Sequence, residues 1–293
     1  MKFATVRLAD RQTAVLVEDD GRTLRDLSGV TGAGSVLDVI ENWQRLSREL
    51  RTAELPMLTG AHALLAPIPA PRRNLFAVGK NYREHVNEFG RSGYDSPERS
   101  EDLPTKPVVF SKATTAVTGP FDLIELHAGV TSEVDYEAEL AVIIGTGGRA
   151  ISTARAMDHV WGYTVVNDVT ARDLQRDHKQ WLLGKSLDTH APMGPWAVSA
   201  DEIEDVTTLR VTSSVNGEPR QDAVIADLIF SIPELIATIS AGITLMPGDV
   251  VATGTPAGVG IGFDPPRFLQ AGDVVECSVE RIGTIRNTVG CHQ

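Results

Sequence analysis

Three acidic residues alternate along one short stretch of the chain, VDYEAELAVIIG at 134–145, which runs into an apolar segment. Side chains alternate between the two faces of a β-strand, so Asp135, Glu137 and Glu139 would all point the same way. Three like charges on one face repel one another unless a cation lies between them. Mg²⁺, Mn²⁺ and Ca²⁺ bind oxygen ligands. The spacing therefore predicts either a divalent-metal site or an acidic strand edge that faces water.

A single strand offers only one line of ligands, so a metal site needs a further carboxylate from elsewhere in the chain. Asp168 follows the apolar run YTVVN and precedes a predicted helix start, where it could equally serve as a helix cap. If that helix begins near Thr170, Arg172 and Gln175 lie three residues apart on one of its faces. An acid, a cation and an amide would then meet near one spot, which suits a small anion bound beside a metal.

A histidine and a glutamate three residues apart form the second group. The segment NYREHVNEFG predicts about two turns of helix ending at Gly90, with His85 and Glu88 on one face. A carboxylate that hydrogen-bonds one imidazole nitrogen fixes the tautomer and makes the other nitrogen more basic. Such a pair can act as a general base toward water. Taken alone, the spacing is more often a surface histidine with an incidental neighbour.

Other catalytic patterns are missing from the sequence. The segment GKSLDTHAPMGP lacks the leading glycine of a phosphate-binding loop, and TGTPAGVGIG lacks the spacing of a dinucleotide-binding turn. No GxSxG motif occurs, and neither Cys277 nor Cys291 has a histidine close in sequence. The absence of these patterns argues against nucleoside triphosphate hydrolysis, dinucleotide binding and acyl-enzyme chemistry.

Composition narrows the class of protein further. The chain has 293 residues, 42% hydrophobic and 23% charged, and a net charge of −12 without a compact basic stripe. We therefore expect no nucleic-acid partner. No apolar run approaches the ~20 residues of a membrane span, and the start has no signal-like apolar region. With two cysteines and no CxxC pair, the prediction is a cytoplasmic protein that does not act at a membrane.

The elements that position these residues fall into two predicted domains. KFATVRL and TAVLVEDDGRTLRDL predict a strand and a hairpin, and Val36 begins a helical pattern that Ser35 and Asp38 would cap. The proline-rich segment at 66–73 is the predicted linker. Residues 1–65 are thus predicted to form a small α+β domain, and residues 74–293 a β-rich catalytic domain.

Strands dominate the pattern after residue 74, with a helix at IPELIATISAGITL and another from Thr170 through Trp181. Between the helix of the histidine–glutamate pair and the strand KPVVFSK lies a polar, turn-rich segment from Arg91 to Lys106. Such a segment has few apolar anchors. Because it directly follows that helix, we predict that it is a lid over the site.

Seven motifs together resemble the fumarylacetoacetate hydrolase superfamily, and they occur in the family's order: FAVGKNYREHVNE, KPVVFSKATTAVTGP, VDYEAELAVIIG, GYTVVNDVTARDLQ, QWLLGKSLDTHAPMGPW, VNGEPRQD and LMPGDVVATGTPAGVG. The resemblance runs from about Asn74 to Val289, and residues 1–65 resemble the small variable domain of bacterial members. It implies a mixed β-roll core, an Mg²⁺ or Mn²⁺ ion and a homodimer. The overall fold class expected is α+β and β-rich.

The resemblance also implies roles for particular residues. Glu137, Glu139 and Asp168 would hold the metal, which answers why acids alternate along the strand, while Asp135 would lie behind the ligands or at the surface. The remaining residues implied are the His85–Glu88 pair and Lys185 in catalysis, and Lys80, Arg172, Gln175 and Thr255 in substrate binding.

A 2-oxo acid could chelate such a metal, and the metal with Lys185 would stabilise an enolate. With His85 activating water, we expect hydrolysis of a C–C bond in an acylpyruvate-type 2,4-dioxo acid. Without the water step, the same site could decarboxylate an oxaloacetate-like acid or isomerise a 2-hydroxydienoate, which is the alternative function. A non-catalytic protein that keeps the cation for structure is the alternative of a different class.

Overall fold

Three β-sheets carry the chain in this computed structural model, which describes residues 1–9, 11–93 and 103–291. The eleven-stranded sheet runs in the order β3-β2-β1-β13-β11-β10-β16-β5-β6, with β4 beside β1 and β7 beside β13. Its strands are β1 (Lys2–Arg7), β2 (Gln12–Val17), β3 (Leu24–Asp26), β4 (Ala63–Leu65), β5 (Leu75–Gly79), β6 (Val108–Lys112), β7 (Val117–Thr118), β10 (Ala138–Ile144), β11 (Val160–Asn167), β13 (Ala191–Ser199) and β16 (Val250–Ala252).

The two smaller sheets complete the β structure. A pair is formed by β9 (Val134–Asp135) and β12 (Thr170–Ala171). A five-stranded sheet has the order β15-β14-β17-β18-β8, from strands β8 (Ile124–Glu125), β14 (Arg210–Val215), β15 (Glu218–Val224), β17 (Val274–Val279) and β18 (Gly283–Gly290).

Six short α-helices lie in the described ranges: α1 (Val36–Glu41), α2 (Trp43–Glu49), α3 (Arg83–Arg91), α4 (Arg172–Asp177), α5 (Leu182–Lys185) and α6 (Ile232–Ser240). The predicted capping box is present at α1, where Ser35 and Asp38 each bond the other's backbone. The ends of two helices differ from the prediction. Helix α3 continues through Gly90, and the helix that was expected to reach Trp181 stops at Asp177. The α+β, β-rich class predicted from sequence is confirmed.

The main cores lie on opposite sides of the central strands. One packs residues of β10 and β11 against the five-stranded sheet and α6. The other includes Phe3 and helix α1 together with Trp161 and Met193, so N-terminal and later residues share it. Strand β1 pairs with β13 at Phe3 and Ala197, which places the N-terminal strands in the main sheet. The division into domains 1–65 and 74–293 stays a prediction.

The acidic segment is not one continuous strand as expected. It breaks after Asp135, and β10 begins at Ala138 between β11 and β16. Every residue of β10 is buried, which explains its apolar run from Leu140 to Ile144. Strand β13 was not predicted from the sequence, because Pro192, Gly194 and Pro195 disfavour strands. Its pairing with β11 contains a register shift at the level of Gly194.

The predicted lid, Arg91 to Lys106, lies largely outside the described residues, since 94–102 are not among them. Its role stays a prediction. The described residues on either side of this segment end α3 and lead into β6.

We predict that a chain of residues 66–293 is much less stable than the whole protein. Removing β1 leaves an edge of β13 unpaired and uncovers Trp161 and Met193. Each large apolar side chain that loses its cover costs roughly 1.5–3 kcal/mol, so Tm should fall by about 10 °C or more. Circular dichroism melts and size-exclusion chromatography measure this. Equal Tm and a monodisperse peak would instead support two separate domains.

Candidate metal and substrate site

Three buried carboxylates converge in the described part of the chain, from Glu137, Glu139 and Asp168. One oxygen of each lies within 4.8 Å of the others. Strand pairing causes this convergence, because β10 and β11 are antiparallel and Ala138 lies opposite Asn167. The start of β10 therefore meets the end of β11, where the Asp168 amide donates to the Glu137 carbonyl at 2.9 Å.

Two cationic side chains hold the first and third of these carboxylates. The Lys185 ammonium donates to Glu137 Oε2 at 2.7 Å and to Asp168 Oδ2 at 2.9 Å. Arg172 Nη1 lies 2.7 Å from Glu137 Oε1. Burial raises the pKa of Glu137, but Lys185 and Arg172 outweigh it and lower that pKa to about 2. Burial also opposes the charge of Lys185, yet Asp168 and Glu137 raise its pKa above the ordinary value.

The remaining carboxylate, Glu139, is far less compensated. Its Oε2 accepts from the Gly254 backbone amide at 2.8 Å. Burial, followed by the neighbouring charges of Asp168 and Glu137, raises the pKa of Glu139 well above its usual range. A cation at this point would relieve that repulsion. An all-oxygen donor set of three carboxylates fits Mg²⁺ or Mn²⁺, and the three residues are those that the sequence predicted as ligands.

Asp135 is buried in the protein and does not lie at the surface, which was one of its two predicted positions. Its Oδ2 accepts from Arg172 Nε at 2.9 Å, and its Oδ1 accepts from the amide of Gly260 at 2.6 Å. Burial lowers the pKa of Arg172, but Glu137 and Asp135 raise it beyond its already high value. Asp135 thus fixes the guanidinium that in turn holds Glu137.

Lys112 belongs to the same cluster and was not predicted. Its Nζ donates to Asp168 Oδ1 at 2.6 Å and to the Val169 carbonyl at 3.1 Å. Burial lowers its pKa from the ordinary value, while Asp168 acts in the opposite direction. The sequence showed only that a lysine ends the apolar strand KPVVFSK. The long-range pairing of β6 with β5 and of β5 with β16 brings that strand end to Asp168, and local sequence does not predict this pairing.

The histidine–glutamate pair forms as predicted on α3. His85 Nδ1 lies 3.2 Å from Glu88 Oε2, and both side chains are mostly buried. The Gly258 amide donates to Glu88 Oε1 at 2.9 Å, so the carboxylate is fixed from both sides. Gly258 has a φ of +104°, where an L side chain is strained, and a Cβ there would meet the Arg220 carbonyl. With Nδ1 engaged by Glu88, the other ring nitrogen remains for the pocket.

One pocket brings the predicted residues together. It is lined by Val78, Gly79, Lys80, His85, Phe89, Glu137, Arg172, Gln175, Trp181, Lys185 and Thr255. Lys80 has a φ of +56° and its ammonium lies 5.1 Å from the centre of the Phe89 ring. All predicted catalytic and substrate-binding residues except Glu88 line this pocket, and Glu88 bonds His85 directly behind it.

Two of these residues are constrained by bonds of their own. Thr255 donates its hydroxyl to the Ala138 carbonyl at 3.0 Å and accepts from Gln221 at 2.7 Å. Its hydroxyl proton is therefore engaged in the fold, which limits how it can bind a ligand. Gln175 accepts from Arg172 through its amide oxygen at 3.1 Å, so its NH₂ group provides the donors on that side.

Comparison with known proteins places this fold and site in a family. Residues 74–290 match the family model described as Fumarylacetoacetate (FAA) hydrolase C-terminal. The match contains every predicted site residue and covers most of the chain. The chain therefore belongs to the fumarylacetoacetate hydrolase family and is an enzyme of that family, as its motifs predicted.

Particular relatives refine the picture. Oxaloacetate tautomerase YisK of Bacillus subtilis is 44% identical over 99% of this chain and 100% of its own length. The mitochondrial oxaloacetate tautomerase FAHD2A of Bos taurus is 42% identical over 83% of this chain and 74% of its own length. These relatives are named for an isomerisation.

Two solved structures have the same fold over the whole chain. A fumarylacetoacetate hydrolase from Exiguobacterium antarcticum covers 100% of both chains with a TM-score of 0.86 and 40% identity. Maleylpyruvate hydrolase from Sphingobium, in complex with manganese (II) ion and pyruvate, covers 100% of both chains with a TM-score of 0.80 and 28% identity. A divalent metal in a relative is consistent with the carboxylate triad here.

None of the helices in the described residues has the length and apolar character required to cross a bilayer.

We predict that Asp135→Ala destabilises the protein strongly. The substitution leaves the buried Arg172 without one of its two carboxylates, and breaking a buried pair costs about 3–5 kcal/mol. Urea unfolding followed by fluorescence measures the free energy of unfolding. Asp177→Ala is the control, because its pair with Arg176 is exposed and should contribute no more than about 1 kcal/mol. Equal losses in the two variants would contradict this role of Asp135.

Proposed function

We propose that this enzyme is a divalent-metal-dependent tautomerase of oxaloacetate-like 2-oxo acids. The observation that carries the proposal is the 44% identity to oxaloacetate tautomerase YisK along the whole of both chains. It favours the isomerase alternative over the C–C bond hydrolysis that the motifs placed first. The carboxylate triad, Lys185 and His85 provide the groups that such a reaction needs.

Keto–enol tautomerisation moves one proton between C3 and the oxygen on C2, through an enolate. Glu137, Glu139 and Asp168 would hold Mg²⁺ or Mn²⁺, which when bound would supply a Lewis acid for the 2-oxo group. We assign His85 as the base that takes the C3 proton, since Glu88 engages Nδ1 and leaves Nε2 as the acceptor. The His85 imidazolium then gives this proton to the enolate oxygen, which yields the enol and regenerates the base, and no other bond changes.

Cationic residues of the pocket wall would stabilise and orient this substrate. The Lys185 ammonium keeps its charge next to Glu137 and Asp168, so it can oppose the negative charge that develops on the C2 oxygen. The NH₂ group of Gln175 and the ammonium of Lys80 are the proposed donors for the two carboxylates of an oxaloacetate-like acid.

The test of this proposal is the loss of enol absorbance when enol-oxaloacetate is mixed with the enzyme. We expect turnover with Mn²⁺ that EDTA abolishes. Glu139→Gln and Asp168→Asn should each weaken Mn²⁺ binding, measured by titration calorimetry, and lower kcat by roughly 10²-fold or more, because each removes one of three anionic ligands. Wild-type turnover that persists unchanged in EDTA would contradict the metal requirement.

His85→Ala should bind Mn²⁺ and fold like the wild type but lose roughly 10²–10⁴-fold in kcat for tautomerisation, since it removes the base. Stopped-flow absorbance and calorimetry measure the two quantities. Glu84→Ala is the matched control on the same helix, because Glu84 is not among the residues of the pocket wall. Near wild-type tautomerisation by His85→Ala would assign the proton transfer to another group.

Hydrolysis of an acylpyruvate is the second candidate, and the His85–Glu88 pair fixed by Gly258 favours it. The same imidazole that accepts a carbon-bound proton could instead activate water for attack on a distal carbonyl. Pyruvate release from acylpyruvates, assayed beside oxaloacetate tautomerisation and decarboxylation, separates these reactions. Absence of turnover on the whole panel would contradict both candidate reactions. The homodimer is likewise a proposal, tested by light scattering.

A further inference from the structure

Lys112 is the one cation of the cluster that is not part of the pocket wall. Its side chain is completely buried at the end of β6. The Nζ bond to Asp168 Oδ1 is 2.6 Å long, a length typical of a charge-assisted bond, and the second partner is also an acceptor. Lys112 therefore contacts the triad from outside the pocket wall. It bonds the Asp168 carboxylate oxygen to which Lys185 does not donate.

The charges of the buried cluster nearly cancel before any ligand binds. Four carboxylates, those of Asp135, Glu137, Glu139 and Asp168, are opposed by Lys112, Arg172 and Lys185. The formal sum is −1, and a divalent cation changes it to +1. Each buried charge acts on an incoming ion with little screening by water. A cation so close to Asp168 must disfavour a second cation and favour an anion.

We propose that Lys112 sets the balance between the two ligands of this site, weakening the binding of the divalent metal and strengthening the binding of the anionic 2-oxo acid. Lys112 would do so by its charge alone, without touching substrate. Metal binding that is too tight through the three carboxylate ligands would leave the ion less able to attract the oxygens of the acid. The identity of the anion as a 2-oxo acid rests on the proposed function.

A purely structural role of Lys112 predicts the opposite change in metal affinity. If Lys112 mainly orients Asp168, its removal should loosen that ligand and weaken metal binding, as the loss of a ligand does. If its charge dominates, removal should tighten metal binding and loosen anion binding at the same time. The two effects differ in sign, so one pair of affinities separates them.

The experiment measures Mn²⁺ affinity of the metal-free protein, and then oxalate affinity at saturating Mn²⁺, by titration calorimetry. Lys112→Gln removes the charge while its amide can still donate to Asp168, and Lys112→Arg keeps the charge. For Lys112→Gln we expect Mn²⁺ to bind about 5–150-fold more tightly and oxalate to bind more weakly by a similar factor, the usual range of coupling between sites. Lys112→Arg keeps the charge, so both of its affinities should lie closer to those of the wild type than the affinities of Lys112→Gln do.

Weaker Mn²⁺ binding by Lys112→Gln, or equal tightening by Lys112→Arg, would overturn the proposal. If the neutral variant is unfolded without metal, the rise of Tm with Mn²⁺ concentration gives the same comparison. It must then exceed the rise in the wild type, and a variant that Mn²⁺ does not stabilise also counts against the proposal. Both readouts are equilibrium measurements without turnover. They can therefore succeed even if oxaloacetate tautomerisation is not the reaction.

Discussion

Neutralisation of four carboxylates buried within one small volume is the constraint on which the rest of this structure depends. An isolated buried carboxylate is very unfavourable, so each one needs a cation or a set of hydrogen-bond donors. Here Arg172 links Asp135 to Glu137, and Lys185 links Glu137 to Asp168. Glu139 has the weakest compensation, which makes it the position where a metal would relieve the most repulsion.

The fold meets this constraint with strand pairing. An antiparallel β10–β11 pair brings a strand start and a strand end to the same edge, so Glu137 and Glu139 become neighbours of Asp168, which is 31 and 29 residues away from them in sequence. The two-residue pair of β9 with β12 repeats this at Asp135 and Thr170, which places Arg172 within reach of Asp135. Two short helices, α4 and α5, follow in the chain, and Lys185 at the end of α5 lies at this edge. Because this edge is completely buried, most residues of β10 must be apolar.

The resemblance carried by the seven motifs was enough to predict the α+β class and to identify the residues that converge. Alternation alone grouped Asp135 with Glu137 and Glu139 and did not select the ligands. Predictions failed where a contact depends on distant pairing. Lys112 gives no local sign of its partner, since β6 reaches Asp168 only through β5, β16 and β10. Strand β13 was missed because prolines and a glycine in it are accommodated by an irregular pairing that sequence rules do not anticipate. Asp135 was assigned no partner for the same reason, as its bonds come from residues 37 and 125 positions away.

The proposed general base and the proposed metal ligands are held by different parts of the fold, and this separation bears on the chemistry. The triad and Lys185 depend on β10, β11 and α5, whereas His85 depends on α3 and on Glu88, which the Gly258 loop fixes. In the proposed mechanism, enolate stabilisation needs only the first set. The choice between proton transfer and attack by water would depend on the second set and on the pocket wall around Lys80 and Phe89. We therefore expect changes on α3 to alter the proposed reaction without disturbing the charge balance at the carboxylate triad.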